Sequence, residues 1–178
     1  MGIYESPKYS VVIKERNIEI RSYESFNIVL YENPRDRNAD SGFNTLFSYI
    51  SKGNKREEKI KMTVPVLEED RGGLRTLSFV VPSKYNLEDI PAPKSDLIRV
   101  DKIDGGYFAC IRYSGLATEG SYKKNLDKLI NFLKEKNYNI SSEFYRAYYD
   151  PPFQLPFLRR NEILVRLTNI SKERLIAR

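Results

Sequence analysis

Histidine is absent from all 178 residues of this chain. Histidine is the usual base in Ser-His-Asp and Cys-His catalysis, and it is a common side-chain ligand of zinc, copper and iron. The sequence therefore excludes these catalytic arrangements and any histidine-ligated metal site. It also contains no CxxC pair, no P-loop and no GxGxxG segment. We expect no catalytic residues, no metal site, and a binding protein in preference to an enzyme.

A few other side chains have donor atoms that a metal ion accepts, namely Met62, Cys110 and the 13 tyrosines. Met62 alternates with Ile60 and Val64, so the three share one face of a predicted strand and Met62 is expected in the core. Cys110 lies between two apolar residues, where a cysteine is usually buried and unreactive. The tyrosines are too many for one to be singled out.

The cysteine count also bears on the compartment. Because Cys110 is the only cysteine, no intramolecular disulfide can form. This fits a reducing compartment and predicts a cytoplasmic location.

The composition is that of a globular protein, with 40% hydrophobic and 30% charged residues. The length fits a single domain, 1–178, ending in a basic tail at 169–178. The net charge of +6 is spread along the chain, whereas a nucleic-acid interface needs a concentrated basic face. No stretch approaches the length of a membrane span. We expect neither nucleic acid nor membrane as a partner.

The elements that must position these residues follow from hydrophobic periodicity. Alternating residues predict strands near 10–15, 18–23 and 26–31, joined by tight connections. A helix is predicted on the stripe of Phe43, Leu46, Phe47 and Ile50, with Asp40 or Ser41 as N-cap and Gly53-Asn54 as its end. Strands at 60–66 and 74–81 follow, around the turn Arg71-Gly72-Gly73.

The same order of elements is predicted again in the second part of the chain. Strands at 97–103 and 107–113 flank Gly105-Gly106, which predicts a hairpin turn. A second helical stripe covers 122–133, and strands at 142–149 and 161–168 follow as another hairpin. The prediction is an α+β fold of two pseudo-repeated strand-strand-helix-strand-strand halves, roughly 10–82 and 97–168. They would form a distorted antiparallel barrel flanked by two long helices, with a small-molecule cleft between helix and sheet.

Several motifs occur together in a specific order. Phe43-x-x-Leu46-Phe47-x-Tyr49-Ile50-x-x-Gly53-Asn54 is followed by Lys59-Ile60-x-Met62-Thr63-x-Pro65-Val66. Ile20-Arg21-x-Tyr23 precedes them, and Pro91-x-Pro93, Tyr149-Asp150-Pro151-Pro152 and Arg159-Arg160-Asn161-Glu162 come after. This pattern resembles the SOUL haem-binding proteins over roughly 18–167.

The resemblance implies a fold, a ligand and a site. The fold is a distorted barrel of two similar halves, and the ligand is haem or another porphyrin. Some family members hold the iron through a histidine, so binding here would have to occur without that axial ligand. The resemblance makes the first helix and a late loop the pocket walls, with arginines for the acidic side chains of the ring. The implied ligand-binding residues are Phe43, Phe47, Ile50, Leu155, Phe157, Leu158, Arg159 and Arg160.

Other interpretations stay open. The phenylalanines of the helix could equally be ordinary core residues. Asn161 could satisfy backbone groups of the preceding loop, while Glu162 pairs with Arg159 or Arg160. Alternatively, the chain could sense or sequester another hydrophobic, possibly cationic molecule, as effector-binding domains do, with Glu162 or Glu143 as the acid. An enzyme, perhaps a hydrolase using Tyr and Glu, ranks last. The physiological ligand and the oligomeric state are not specified by the sequence.

Overall fold

The computed structural model describes residues 4–168 and residue 170. The elements in this part of the chain are, in order, β1 (Tyr9–Glu15), β2 (Ile18–Tyr23), β3 (Phe26–Tyr31), α1 (Gly42–Ile50), β4 (Val66–Arg71), β5 (Leu74–Val80), β6 (Ile98–Ile103), β7 (Gly106–Tyr113), α2 (Glu119–Glu135), β8 (Tyr145–Tyr148) and β9 (Asn161–Arg166). The antiparallel strands and two helices confirm the α+β class. Apart from Ile170, the predicted basic tail lies outside the described residues.

The chain separates into two compact units, and each is built from two separate segments. The first unit comprises Met1–Pro7 and Ser25–Asp104, and the second comprises Lys8–Glu24 and Gly105–Arg178. These boundaries cross the predicted halves, because β2 pairs with β7 and not with β3. The repeated strand order and the closure into a barrel stay predictions.

The first unit is a four-stranded antiparallel sheet in the order β4-β5-β3-β6, with α1 packed on it. Leu46 and Tyr49 of α1 are buried against Val29 and Phe79 of the sheet. Ser41 precedes the helix as predicted, but its hydroxyl bonds to Asp36 and not to the first turn. The helix face and the alternating strands thus bury a common core, as their periodicities predict.

The end of α1 differs in detail from its prediction. The helix ends at Ile50, and Lys52, not Gly53, takes the left-handed conformation with φ of 84°. Gly53 is required for a different reason, since a Cβ there would lie 2.5 Å from the Ser48 carbonyl oxygen. Asn54 is fully buried and holds the following loop, because its amide donates to the carbonyls of Tyr49 and Glu58.

The predicted strand at 60–66 is wrong. Strand β4 begins only at Val66, immediately after Pro65, which has no N–H to donate to a ladder. The preceding residues are held by other contacts, such as the Thr63 hydroxyl donating to the Val80 carbonyl. Met62 is nevertheless half-buried against the core of the first unit.

The second unit is a five-stranded antiparallel sheet in the order β1-β2-β7-β9-β8, and α2 packs on one face. Thr118 caps α2 by accepting a hydrogen bond from the Ser121 N–H.

The predicted β8–β9 hairpin is confirmed. The predicted hairpin at Gly105-Gly106 is wrong, because β6 pairs with β3 while β7 pairs with β2 and β9. Among the described helices, none has both the length and the apolar character to cross a bilayer.

Candidate functional site

A buried ionic cluster lies on the sheet of the second unit. Its central pair, Arg21 and Glu162, is 2% and 1% exposed. The Arg21 guanidinium donates to the two Glu162 oxygens at 2.8 and 2.9 Å. Arg160 donates through Nε at 2.9 Å, and the Tyr149 hydroxyl donates at 3.0 Å. We call these four residues the ionic cluster. Each Glu162 oxygen accepts two hydrogen bonds, which fills the roughly four acceptor positions of a carboxylate.

Strand periodicity places the central pair on the sheet face opposite α2. Ile20 on β2 and Ile163 on β9 pack with α2, so their neighbours Arg21 and Glu162 point the other way. Strand β7 lies between β2 and β9, and Cys110 is on the same face as the pair. Because cysteine is small, the two long side chains can meet across β7.

Arg21 is held by further groups around its guanidinium. Its Nε donates to Glu19 at 2.8 Å, and Nη1 donates to the Tyr23 hydroxyl at 3.0 Å. The guanidinium also lies over the Tyr9 ring, 4.3 Å from its centre. All of its nitrogens therefore have partners, as a buried charge requires.

The environment fixes the protonation states of the cluster. Burial alone would raise the pKa of Glu162, but hydrogen bonds and charge from Arg21 and Arg160 outweigh burial and lower the pKa to about 2. Burial, followed by the charge of Glu162, raises the pKa of Tyr149 well above its ordinary value. The same two causes raise the pKa of the Cys110 thiol. Glu162 is thus ionised at neutral pH while Tyr149 and Cys110 stay protonated, which suits a structural role more than acid-base catalysis.

A groove of about 580 Å³ lies elsewhere on the second unit. This volume is in the range of small-molecule sites, roughly 300–1,000 Å³. Its walls come from the β1–β2 turn, the end of β7 and the late loop before β9. The lining residues, which we call the basic groove, are Lys14, Arg16, Asn17, Glu19, Arg112, Tyr113, Ser114, Phe157, Leu158 and Arg159.

The charge of the basic groove is strongly unbalanced. Four cations and a single carboxylate, Glu19, line it among the residues that the structure describes. Glu19 already pairs with Lys14 at 3.3 Å and with Arg21 at 2.8 Å. The groove therefore presents positive charge beside the apolar surface of Phe157 and Leu158.

The predicted apolar residues of the late loop are all exposed, but only some of them line the basic groove. Phe157 and Leu158 line the basic groove and are 70% and 56% exposed. Leu155 is 55% exposed on the same loop but is not part of the groove lining. A short 3-10 turn, Pro156–Leu158, presents these side chains outward. This loop is thus an exposed apolar surface of the kind that marks binding sites.

The two arginines predicted to meet the acidic groups of a ring are differently engaged. Arg159 lines the groove, but its guanidinium donates to the backbone carbonyls of Gln154 and Pro152. Arg160 belongs to the ionic cluster and also lies 3.8 Å from the centre of the Tyr149 ring. Arg160 therefore neutralises Glu162, and Arg159 holds the loop in shape.

The predicted residues of α1 lie in the first unit, where two of them are exposed and one is buried. Phe43 and Phe47 are 46% and 49% exposed and stack with their ring centres 6.1 Å apart. Ile50 is only 5% exposed and belongs to the core of that unit. The helix stripe thus supplies an exposed aromatic pair, whereas Ile50 offers no accessible surface to a ligand.

Three of the candidate donors for haem iron are buried or engaged, whereas Tyr113 is half-buried in the lining of the basic groove. Cys110 is 1% exposed with a protonated thiol, and Met62 packs against the core of the first unit. The Tyr49 hydroxyl donates to the Pro91 carbonyl at 2.6 Å. Within the described ranges no cluster of three or more acidic, cysteine or histidine side chains could hold a metal ion. Apart from tyrosine hydroxyls, the described residues thus offer no accessible side-chain donor of the kinds considered for haem iron.

Three arginines that define these sites, Arg16, Arg21 and Arg112, were not predicted as site residues from the sequence. The strand alternation around Ile20 carried no sign that Arg21 is buried, although the Ile20-Arg21-x-Tyr23 motif marked the segment. Arg16 and Arg112 are exposed and carry no motif. Asn161 was expected to serve the preceding loop, but its amide donates to the Gly115 carbonyl after β7. Glu162 was expected to pair with Arg159 or Arg160, and it pairs with Arg160.

Comparisons with known proteins agree with the motifs. The SOUL heme-binding protein family matches residues 4–166. The chain is 31% identical to heme-binding protein 2 of Mus musculus over 137 residues, 72% of this chain and 65% of that protein. It is 27% identical to heme-binding protein 1 of Bos taurus over 88% of this chain and 83% of that protein.

A solved structure described as a hydrolase from Listeria innocua also resembles it. The TM-score is 0.59 at 13% identity, over 88% of this chain and 94% of that one, which shows a shared fold alone. The family match covers nearly the whole chain, including the segments that carry the ionic cluster and the basic groove. This chain belongs to the SOUL heme-binding protein family.

Proposed function

We propose that this protein binds haem or another tetrapyrrole in a hydrophobic cleft, without a histidine on the iron, and that it is a binding protein and not an enzyme. The observation that carries the proposal is the family match over residues 4–166. The mouse and bovine relatives are named heme-binding proteins, which supports the same ligand class. The single cysteine adds the expectation of a reducing, cytoplasmic setting.

We place the ring against the late loop of the second unit. Four large apolar side chains of this loop are exposed, namely Phe153 at 87%, Leu155 at 55%, Phe157 at 70% and Leu158 at 56%. A flat apolar ligand would remove part of this surface from water, which contributes about 25 cal/mol per Å² before the cost of ordering. The adjoining basic groove supplies charge for the acidic groups of the ring.

Binding by apolar burial predicts that the iron contributes little to the affinity for the ring. Met62 and Cys110 pack against the core and histidine is absent. Burial raises the pKa of Tyr113 in the groove, so its hydroxyl stays protonated and is a weak iron ligand, and coordination contributes little to affinity. Iron-free protoporphyrin should then bind about as tightly as haem. A protein that relied on an axial ligand would bind haem far better.

Titration of the purified protein with haemin and with protoporphyrin tests the proposal. We expect saturable binding of both, followed by the Soret band and by porphyrin fluorescence. Phe157→Ala should weaken binding several-fold, whereas Met62→Leu and Cys110→Ala should change it little. The family resemblance also makes Phe47 of α1 a pocket wall, so Phe47→Ala tests that other placement of the ring, and with the ring at the late loop it should have little effect.

Each alternative result has a defined meaning. No saturable binding at micromolar ligand would refute tetrapyrrole binding. A loss with Phe47→Ala but not with Phe157→Ala would move the ring from the late loop to α1. Loss of haem binding with Met62→Leu or Cys110→Ala, while protoporphyrin no longer competes, would mean that the protein coordinates the iron.

A further inference from the structure

Arg16 lines the basic groove from a tight turn, where its backbone has a conformation that is unfavourable for a residue with a side chain. Strands β1 and β2 are joined by Arg16 and Asn17 alone, and Arg16 has a φ of 56°. This left-handed conformation is disfavoured for a residue with a Cβ. Asn17 fixes the turn to β7, because its amide donates to the Arg112 carbonyl and its carbonyl accepts from the Arg112 N–H, both at 2.9 Å.

Arg112 is exposed at the groove because the carboxylate opposite it on β9, that of Glu162, already binds other groups. The β7–β9 register sets Arg112 opposite Glu162. The Glu162 carboxylate already accepts four hydrogen bonds from Arg21, Arg160 and Tyr149. Among residues 4–168 and 170, no ion pair or side-chain hydrogen bond is formed by the side chains of Arg112 and Arg16.

The remaining groups of the groove cannot neutralise these two arginines. The carboxylate of Glu19 is shared by Lys14 and Arg21. Ser114 and Tyr113 are uncharged, and Phe157 and Leu158 form the apolar side. Two free guanidinium groups thus stand beside an apolar surface, an arrangement that matches a ligand with a flat apolar body and carboxylate arms.

We propose that the basic groove recognises the carboxylate side chains of a tetrapyrrole through Arg16 and Arg112. The inference rests on the proposed function and adds a selectivity to it: the protein prefers acidic tetrapyrroles to neutral ones. It also reassigns the role first given to Arg159 and Arg160, since those two are held by backbone carbonyls and by Glu162.

Protoporphyrin IX and its dimethyl ester are the probes, because they share one ring and differ in charge. Fluorescence titrations would compare their affinities for the unmodified protein, for Arg16→Gln and for Arg112→Gln. We expect the diacid to bind more tightly than the ester. Each substitution should weaken the diacid about fivefold, the effect of one exposed charge contact, and leave the ester unchanged.

Controls separate the possible results. Arg35→Gln removes the same charge from an exposed arginine of the first unit and should change neither affinity. The diacid should also lose affinity with added salt, while the ester should not.

If both probes bind equally to the unmodified protein, the carboxylate site is wrong while tetrapyrrole binding stands. The same conclusion follows if Arg35→Gln weakens the diacid as much as Arg112→Gln does, because the effect would then be one of net charge. If neither probe binds, the proposed function fails and this inference fails with it.

Discussion

Substitution of Glu162 by glutamine is the sharpest test of the ionic cluster. Glutamine has nearly the same shape as glutamate but carries no charge. It would leave Arg21, which is 2% exposed, without its main counter-ion, and it would weaken the bond from Arg160. The buried guanidinium would then lack compensation for its lost hydration.

Two independent arguments give the size of the effect. Removing one partner of a buried ion pair typically costs about 3–5 kcal/mol of unfolding free energy. The pKa of Glu162 is lowered from 4.5 to about 2, which corresponds to about 3 kcal/mol of stability from its ionised form. We therefore expect Glu162→Gln to lower the free energy of unfolding by about 3 kcal/mol, or the Tm by roughly 6–12 °C.

Urea denaturation followed by circular dichroism would measure this loss. Glu143→Gln is the matched control, because Glu143 is exposed and its neutralisation should change stability by less than about 0.5 kcal/mol. A Glu162→Gln protein within about 1 kcal/mol of the unmodified one would refute the reasoning, since the buried pair would then contribute little net stability.

Two further predictions concern the same face of the sheet. Because Glu162 has a lowered pKa, its stabilisation is complete above pH 4.5 and is lost as the pH falls towards about 2. The difference in unfolding free energy between the unmodified protein and Glu162→Gln should therefore shrink between pH 5 and pH 2, and a constant difference in urea titrations would contradict the assignment. Burial, followed by the charge of Glu162, raises the pKa of the Cys110 thiol, so thiol reagents should modify it only after unfolding, and labelling of the native protein at neutral pH, detected by mass spectrometry, would show that this thiol is accessible.

Local elements were predictable because their signals are local. The stripe of α1 and the alternation of β2 and β9 depend on neighbouring residues, and those elements formed. The pairing of β6 with β3 was not predictable in this way. Gly105-Gly106 has the composition of a hairpin turn, but the partners of β7 come from the start and the end of the chain, β2 and β9. Strand pairing is a long-range choice that turn chemistry alone cannot determine.

The residues of the site could likewise be predicted only where the signal is local or comes from the family motifs. Phe157 and Leu158 were predicted through the family resemblance, and they line a groove. Arg21 was missed because an arginine in an alternating strand normally faces water, and its burial depends on Glu162, which lies 141 residues away in the chain. Arg112 was missed for the complementary reason. Its exposure follows from the fact that Arg21 and Arg160 already occupy Glu162, which only the three-dimensional arrangement reveals.

The occupied state of Glu162 also bears on the choice between ligand classes. A receptor for lipophilic cations needs a carboxylate that is free to accept the cation, and the two candidates were Glu162 and Glu143, of which Glu143 is exposed and lies outside the basic groove. Both oxygens of Glu162 are filled by protein donors, so a cation could bind there only by displacing a guanidinium. Glu19 in the basic groove is likewise shared by Lys14 and Arg21, and the surrounding charge is positive. The charge of the ionic cluster and of the basic groove therefore favours an acidic ligand over a cationic one at these two places, which agrees with a tetrapyrrole bound by its carboxylates.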